Sequence, residues 1–297
     1  MTEDSKRRNL VVVGVDGSED GLRAVDYGVR EARSHDADLL LAHAVDDAVL
    51  AGAWGVVYDP NLLEEAGEEA AQSAKQRALS MDFPAERLTT KIYMGNPGAV
   101  LTRLSETART LVVGRRALSG LERLFVGSTS VGVAATAHCP TIMVSAASHL
   151  PETGGIGLIG VGVHTGEPSQ ECLGYAFAEA AHRGARLEVI HAFNLPTSFF
   201  ADRSQRAERE ESHAKAAGEV LATLVGPFAE RYPQVEVTQK VVAAHPVDEL
   251  NRRSDELDLL VLGVHGSGLP VLSPGATIRA VMAHGHCPLA LVREGKH

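Results

Sequence analysis

Short apolar runs alternate with longer amphipathic stretches along the first half of the chain. Residues 10–15 are continuously apolar, which is typical of a parallel strand covered on both faces. Leu22, Val25 and Val29 then recur at helical spacing. The same alternation predicts strands at 39–45, 88–93, 111–113 and 141–144, with helices at about 61–80, from Pro97 through Ala108, and at about 128–137. This order favours an α/β domain with a mainly parallel sheet.

The second half repeats the pattern of the first. LVVVGVDGSED returns as LIGVGVHTGEP, and HCPTIMV returns as HCPLALV, with His43 and His191 placed 148 residues apart. The repeated strands are expected near 158–163, 187–193, 235–242, 259–262 and 289–292. A stretch rich in Pro and Gly, 149–157, has the composition of a linker. The pattern predicts two tandem domains, at residues 1–148 and 156–297.

Composition narrows the classes of partner. The 297 residues are 44% hydrophobic and only 4% aromatic, and both halves are acidic, with a formal net charge of −10. Such a charge argues against a nucleic-acid surface or an anionic membrane as partner. A bound nucleotide stays compatible with it, because backbone N–H groups and helix N-termini hold phosphates without net positive charge.

The N-terminal segment and the cysteines indicate in which compartment the protein is expected. The first apolar run follows a charged segment and is too short for a signal peptide or a membrane span, so a cytoplasmic protein is expected. Three cysteines in such a chain do not indicate a disulfide framework, and Cys139 and Cys287 are expected to be small buried fillers.

Two segments of the first half compete for the ligand crevice of an open α/β sheet, which lies beyond the carboxyl ends of its strands. Asp16 follows the first strand and has the acceptors that a ribose needs. The run 127–130, Gly-Ser-Thr-Ser, precedes a helix and has the chemistry of a phosphate cradle. The same residues also suit an ordinary turn and an ordinary helix N-cap, so spacing alone leaves both readings open.

Taken together, the motifs resemble the universal stress protein family over nearly all of both halves. They are V-G-V-D-G-S after the first strand, L-L-x-H-x-V in the second, the glycine loop, and H-C-P before the last strand. The resemblance implies tandem five-stranded parallel sheets in the order 3-2-1-4-5 with helices on both faces, the architecture of adenine-nucleotide alpha hydrolases. Many members bind ATP through a loop of the form G-x2-G-x9-G-[ST], others bind no nucleotide, and members commonly pair through their last strands.

Carried onto this sequence, the resemblance assigns a nucleotide site in the first half. Asp16 would hold the ribose, and the backbone at Ala44 would meet adenine. The groups around the phosphates would be Gly114, Gly127, Ser128, Thr129 and Ser130. The second glycine of the loop is replaced by Ala117, which costs about 1 kcal/mol or more if that position needs a positive φ. Arg115 and Arg116 are expected to pair with phosphate oxygens or to stay solvated at the surface.

The second half departs further from the family pattern. His164 occupies the place of Asp16 and lacks its pair of acceptor oxygens. The loop keeps Gly263 and Gly266 and is one residue short before Gly275, after which Ala276 and Thr277 replace the two hydroxyl residues. We expect a weaker, vestigial nucleotide site there. His164 and His265 lack a third ligand, so no metal site is expected in either half.

The leading hypothesis is a cytoplasmic stress-response protein, not an enzyme, that forms a homodimer and binds ATP, with Mg²⁺, as a regulatory ligand in the first half. It would act on protein partners that the sequence does not identify. One alternative is a universal-stress-type dimerisation or interaction module without nucleotide, which Ala117 favours. Another is an ATP-pyrophosphatase-type enzyme, which the segment G-V-D-G-S-E disfavours because such enzymes carry an S-G-G-x-D-S type loop.

Overall fold

The computed structural model describes residues 9–46, 60–115, 127–148, 157–166, 169–195, 203–264 and 274–295. The chain divides into two compact units, with residues 1–148 in the first, and residues 149–266 and 275–297 in the second. Each half of the sequence repeat therefore forms a compact unit of its own.

The first unit alternates strands and helices. Its strands are β1 (Leu10–Gly14), β2 (Asp38–Val45), β3 (Leu88–Met94), β4 (Thr110–Gly114) and β5 (Thr141–Val144). Its helices are α1 (Glu19–Ser34), α2 (Pro60–Ser80), α3 (Pro97–Ser105) and α4 (Ser128–Thr136), and a 3-10 turn at Ala85–Arg87 precedes β3. Ser18 caps α1, and Asn96 caps α3 immediately before Pro97.

All strand pairs of the first unit are parallel, and the sheet has the order β3-β2-β1-β4-β5. Helices cover both of its faces. Gly28 of α1 lies against Val13, whereas Leu101 of α3 lies against Gly14, and adjacent strand residues point to opposite faces. Val11, Val12 and Val13 are consequently fully buried, which explains the unbroken apolar run in the sequence.

The second unit repeats this arrangement. Its strands are β6 (Leu158–Gly162), β7 (Arg186–Phe193), β8 (Val237–Ala243), β9 (Leu259–Val264) and β10 (Leu289–Arg293), paired in parallel in the order β8-β7-β6-β9-β10. Its helices are α5 (Gln170–Arg183), α6 (Arg203–Arg231), α7 (Pro246–Ser254) and α8 (Ala276–His284).

The fold class and strand order predicted from the sequence are confirmed. Every predicted strand is present, with ends that differ by at most two residues. One helix is shorter than predicted, because α3 ends at Ser105 and Ala108 lies beyond it. Among the described residues, no helix combines the length and the apolar character that crossing a membrane requires.

Candidate functional site

The first unit has a crevice where β1 and β4 lie side by side and the chain leaves them in opposite directions along the sheet. It is a cavity of about 200 Å³ at the carboxyl ends of the strands, the place where open α/β sheets bind ligands. Its described lining includes most of the predicted site residues: Asp16, Ala44, Gly114, Gly127, Ser128, Thr129 and Ser130. Ala117 and Arg116 lie outside the described residues.

Asp16 is exposed and held by the turn that follows β1. Its Oδ1 accepts hydrogen bonds from the backbone N of Ser18 at 3.0 Å and from the Ser18 hydroxyl at 2.6 Å. Ser18 Oγ in turn accepts from the N–H of Gly21 at 3.0 Å and so caps α1. The carboxylate is therefore fixed through one oxygen, which leaves the second oxygen as an acceptor for a ligand hydroxyl.

The backbone of Ala44 faces the crevice because of the strand geometry around it. The β1–β2 ladder ends at the pair Gly14–Ala42, and the N–H of Val15 donates to the Ala42 carbonyl at 3.0 Å. Val45 points the other way, since its carbonyl accepts from Gly95 N beside β3. Backbone groups alternate sides along a strand, so those of Ala44 point past the end of β1.

His43 helps to end this ladder. Its Nδ1 donates to the Val15 carbonyl at 2.9 Å, so the ring uses the acceptor that the next ladder bond from Ala44 would need. The other side of the ring packs under α2 at Gly67. His43 is thus a packed, hydrogen-bonded histidine, and its effect is to leave backbone groups of β2 facing the crevice.

The wall opposite Asp16 is the start of α4, which is attached to the end of β4. Gly127 N donates to the Arg115 carbonyl at 3.0 Å, and the Ser130 hydroxyl donates to the Gly114 carbonyl at 2.8 Å. The first helical hydrogen bond runs from Val131 N to the Gly127 carbonyl. The N–H groups of residues 128–130 therefore precede the helical ladder and point out of its end, as phosphate recognition requires.

The hydroxyl residues of this segment divide into two kinds. Ser130 is buried, and its hydroxyl is already used to hold the helix, so only its backbone N–H suits a ligand. Ser128 is exposed and Thr129 is half-buried, and the described residues offer their hydroxyls no hydrogen-bond partner. Arg115 is buried rather than solvated, and its Nη2 donates to Ser145 Oγ after β5.

The second unit has a larger crevice at the corresponding place. Its cavity of about 440 Å³ is lined by residues that include His164, Gly263, Gly275, Ala276 and Thr277. Gly275 starts α8, and the first helical bond runs from Arg279 N to the Gly275 carbonyl, as in α4. The predicted second-half residues are thus brought together, except Gly266 and His265, which lie outside the described residues.

His164 takes over one role of Asp16 and loses the other. Its Nδ1 accepts from Gly166 N at 3.2 Å, just as Asp16 accepts from the residue two positions on. Because Nδ1 is the acceptor, the proton of the imidazole is on Nε2. The second crevice therefore offers an N–H donor where the first offers a carboxylate oxygen.

His191 is the counterpart of His43, and its Nδ1 lies 3.0 Å from the Val163 carbonyl. It is buried and packs edge-on to His164, with ring centroids 6.1 Å apart. Burial lowers the pKa of His191, and the nearby rings of His164 and His213 lower it further. The hydrogen bond to the Val163 carbonyl acts in the opposite direction. This histidine is therefore also a packed one.

Two features of the second unit were missed by sequence reasoning. Glu294 is buried and accepts from the N–H groups of Glu171 at 3.1 Å and Cys172 at 3.0 Å, so it occupies the N-terminus of α5. Glu188 in β7 forms a buried bidentate pair with Arg253 at 2.6 and 3.0 Å. The available signal for the second was a lone carboxylate in the otherwise apolar segment LEVIHAF.

The cysteines are inert in this setting. Cys172 is buried, and burial together with the adjacent Glu294 raises its pKa. Burial raises the pKa of Cys139 to about 12. Thiolate formation is disfavoured in both cases. The prediction of small buried fillers is confirmed for Cys287, which is fully buried, whereas Cys139 is only partly buried.

The fold and the two crevices define a tandem α/β protein with a ligand-type site at the switch point of each sheet. The universal stress protein family matches residues 8–145 and again residues 156–293. The chain belongs to the universal stress protein family, with two copies of its domain.

Known relatives are similar over most of this chain. A universal stress protein of Mycolicibacterium smegmatis is 28% identical over 263 residues, which cover 87% of each chain. One of Mycobacterium tuberculosis is 27% identical over 306 residues, covering 97% of this chain and 98% of the relative. The crystal structure of a universal stress protein from Archaeoglobus fulgidus covers 98% of both chains with a TM-score of 0.70 and 17% identity, which shows a common fold.

Proposed function

We propose that this universal stress protein binds an adenine nucleotide, ATP with its Mg²⁺, in the crevice of the first unit. The observation that carries the proposal is the meeting of three recognition elements around one cavity. These are the second oxygen of Asp16, the outward-facing backbone of Ala44, and the first-turn N–H groups of α4. Their chemistry suits a ribose hydroxyl, the edge of a base and a phosphate, in that order.

Each element contributes differently to such a complex. Asp16 would accept from the ribose, while its other oxygen stays committed to Ser18. The N–H and carbonyl of Ala44 would read the donor and acceptor edge of adenine. Ser128 and Thr129 would add hydroxyl donors to the N–H groups around the phosphates, with Mg²⁺ arriving bound to the phosphate oxygens.

The size of the cavity bears on how the nucleotide would lie. About 200 Å³ is below the range of roughly 300–1,000 Å³ that is common for ligand pockets, so it suits the nucleoside part alone. The phosphates would then extend from the rim across the start of α4. This arrangement explains why the lining combines apolar side chains such as Leu101 and Val113 with hydroxyls at only one end.

The proposal is for a binding protein rather than an enzyme, with nucleotide occupancy as a regulatory signal in a cytoplasmic stress response. Among the described lining residues only Asp16 has an ionisable side chain. Its hydrogen bonds to Ser18 hold the carboxylate in place, which suits ligand binding. Slow or absent release of phosphate from bound ATP is the expected behaviour, and it is measured by single-turnover assay.

The deciding experiment is isothermal titration of the whole chain with Mg-ATP. Asp16→Asn keeps an oxygen that accepts from Ser18 but replaces the second oxygen with an NH₂ donor, so ATP affinity should fall at least tenfold while the fold is retained. Gly127→Glu should abolish binding, because it places a carboxylate at the start of α4. Asp82→Asn is the matched control, since Asp82 is exposed and has φ 59°, which Asn also tolerates.

Unchanged affinity in both Asp16→Asn and Gly127→Glu would contradict the nucleotide site. The chain would then be better described as an interaction module of the same fold. Equal losses in Asp82→Asn would show that the assay reports surface charge and not the crevice.

Assembly as a homodimer is part of the same proposal. On the outer strand β3 of the first unit, Ile92 is 42% and Met94 is 57% exposed. An outer strand with apolar side chains and unpaired backbone groups favours association with another chain. Sedimentation velocity with and without Mg-ATP measures both the assembly and its response to nucleotide.

A further inference from the structure

The two crevices have the same architecture, but their linings differ in a consistent direction. In the two repeats β1 corresponds to β6, β4 corresponds to β9 and α4 corresponds to α8. At matched positions the second unit has apolar residues in place of two serines and larger apolar residues in place of two smaller ones. The exchanges, first unit to second, are Ala42 to Ile190, Val113 to Leu262, Ser128 to Ala276 and Ser130 to Ile278.

The second crevice is nevertheless the more spacious of the two, at about 440 against 200 Å³. In the first unit the Ser130 hydroxyl holds the start of α4 against the Gly114 carbonyl. Ile278 stands at the matching position and has no hydroxyl, so this attachment is absent where α8 meets β9. The missing attachment thus accompanies the larger of the two cavities.

The described rim of the second crevice presents two kinds of hydrogen-bond donor. His164 presents its Nε2–H, because its Nδ1 is occupied by Gly166 N. The N–H groups of residues 276–278 start α8, and the Thr277 side chain is exposed beside them. The nearby carboxylate of Glu294 is buried, and its oxygens accept from Glu171 N and Cys172 N.

We propose that the second crevice binds a small amphiphilic anion, with a carboxylate or phosphate head between His164 and the start of α8 and an alkyl or aryl body on Ile190, Leu250 and Leu262. Donors at the rim complement the negative head, and the apolar floor complements the body. The described lining residues offer the cis-diol of a ribose no carboxylate, which separates this site from the proposed nucleotide site of the first unit.

The probe series is hexanoate, octanoate and decanoate, titrated calorimetrically into the whole chain in the presence of saturating Mg-ATP. Affinity should rise about fourfold for each added methylene group, as expected for burial of an alkyl chain. Decyl phosphate against decanoate shows which head group is preferred. Decylamine has the same body with a positive head and should bind at least tenfold more weakly than decanoate.

The test variants restore first-unit chemistry in the second crevice. His164→Asp places a carboxylate beside the ligand head and should weaken decanoate binding at least tenfold. Ile278→Ser removes apolar surface from the lining and should weaken decanoate more than hexanoate. His138→Asp is the matched control, an exposed histidine of the first unit given the same substitution, and should leave decanoate affinity unchanged.

The inference would be overturned by no dependence of affinity on chain length, by equal binding of decylamine, or by equal affinity in His164→Asp. Displacement of decanoate by Mg-ATP would also overturn it, because a shared site would be indicated. Loss of ATP binding in Asp16→Asn with decanoate binding intact would uphold it, so failure of either proposal is seen separately.

Discussion

At the scale of single residues, Gly114 shows how closely the wall of the first crevice is packed. A Cβ at this position would lie 2.7 Å from the carbonyl carbon of Asp20 and 2.9 Å from the N of Gly21. These are backbone atoms in the first turn of α1 and cannot rotate away. Gly114→Ala should therefore destabilise the protein by about 1–3 kcal/mol, measured as the free energy of unfolding in urea.

The matched control is Gly132→Ala, in the middle of α4, where an added Cβ meets nothing within 4 Å. This change should stabilise the protein by about 0.5–1 kcal/mol, because Gly is unfavourable inside a helix. If Gly114→Ala were as well tolerated as Gly132→Ala, the close approach of β4 to α1 would be refuted.

Asp16 and Gly114 also show what sequence spacing can and cannot predict about the site. The expected strand order correctly placed both at one crevice, because parallel strands end at the same edge of a sheet. It could not show that Gly114 is needed for contact with α1, or that the hydroxyl of Ser130 is already used. These depend on distances between elements that are far apart in the chain.

At the scale of elements, β7 and α7 are joined by a buried ion pair. Glu188 and Arg253 are 3% and 4% exposed and form two hydrogen bonds, while their outer partners Lys240 and Glu256 reach solvent. The first unit has Leu40 and Leu104 at the matching positions. The two units thus use different chemistry to join the same pair of elements.

Removing one partner should be far worse than replacing both. Glu188→Ala leaves a buried guanidinium without its carboxylate and should cost about 3–5 kcal/mol of unfolding free energy. The double variant Glu188→Leu with Arg253→Leu copies the first unit and should be neutral or stabilising. Urea unfolding of the single and double variants measures the difference.

Glu210→Ala provides the reference for an ordinary pair, since Glu210 and Arg206 form a half-exposed contact one turn apart along α6. It should cost no more than about 0.5 kcal/mol. If the double leucine variant were as unstable as Glu188→Ala, the prediction would be wrong. The unpaired buried guanidinium could not then be the cause of the instability, and the ion pair itself would be required.

The strands and helices could be predicted from the sequence, whereas the buried ion pair could not, and each outcome has a physical reason. Apolar runs such as residues 10–13 mark strands directly, because both faces of the parallel sheet are covered. Glu188 looks like an interruption of such a run, and its partner lies 65 residues away. A pairing of that range depends on how α7 crosses β7, which no local pattern encodes.

At the scale of the whole molecule, the duplication gives two crevices of similar plan and opposed chemistry. The first has a carboxylate where the second has the imidazole of His164, and Ser128 and Ser130 of the first correspond to Ala276 and Ile278 in the second. A protein that used both for the same ligand would be expected to keep the same groups in both. The differences instead favour one nucleotide for each chain, with the second crevice reserved for another ligand.

This asymmetry predicts the stoichiometry of ATP binding and the place where the structure responds. Calorimetric titration should give one ATP per chain. Hydrogen–deuterium exchange should then slow at residues 14–21 and 127–131, where backbone N–H groups would be covered, and stay unchanged at residues 162–166 and 275–279. Asp16→Asn should remove the effect, whereas His138→Asp should keep it. Two ATP molecules per chain, or protection at the start of α8, would show that the loss of the carboxylate and hydroxyls at His164, Ala276 and Ile278 does not prevent nucleotide binding.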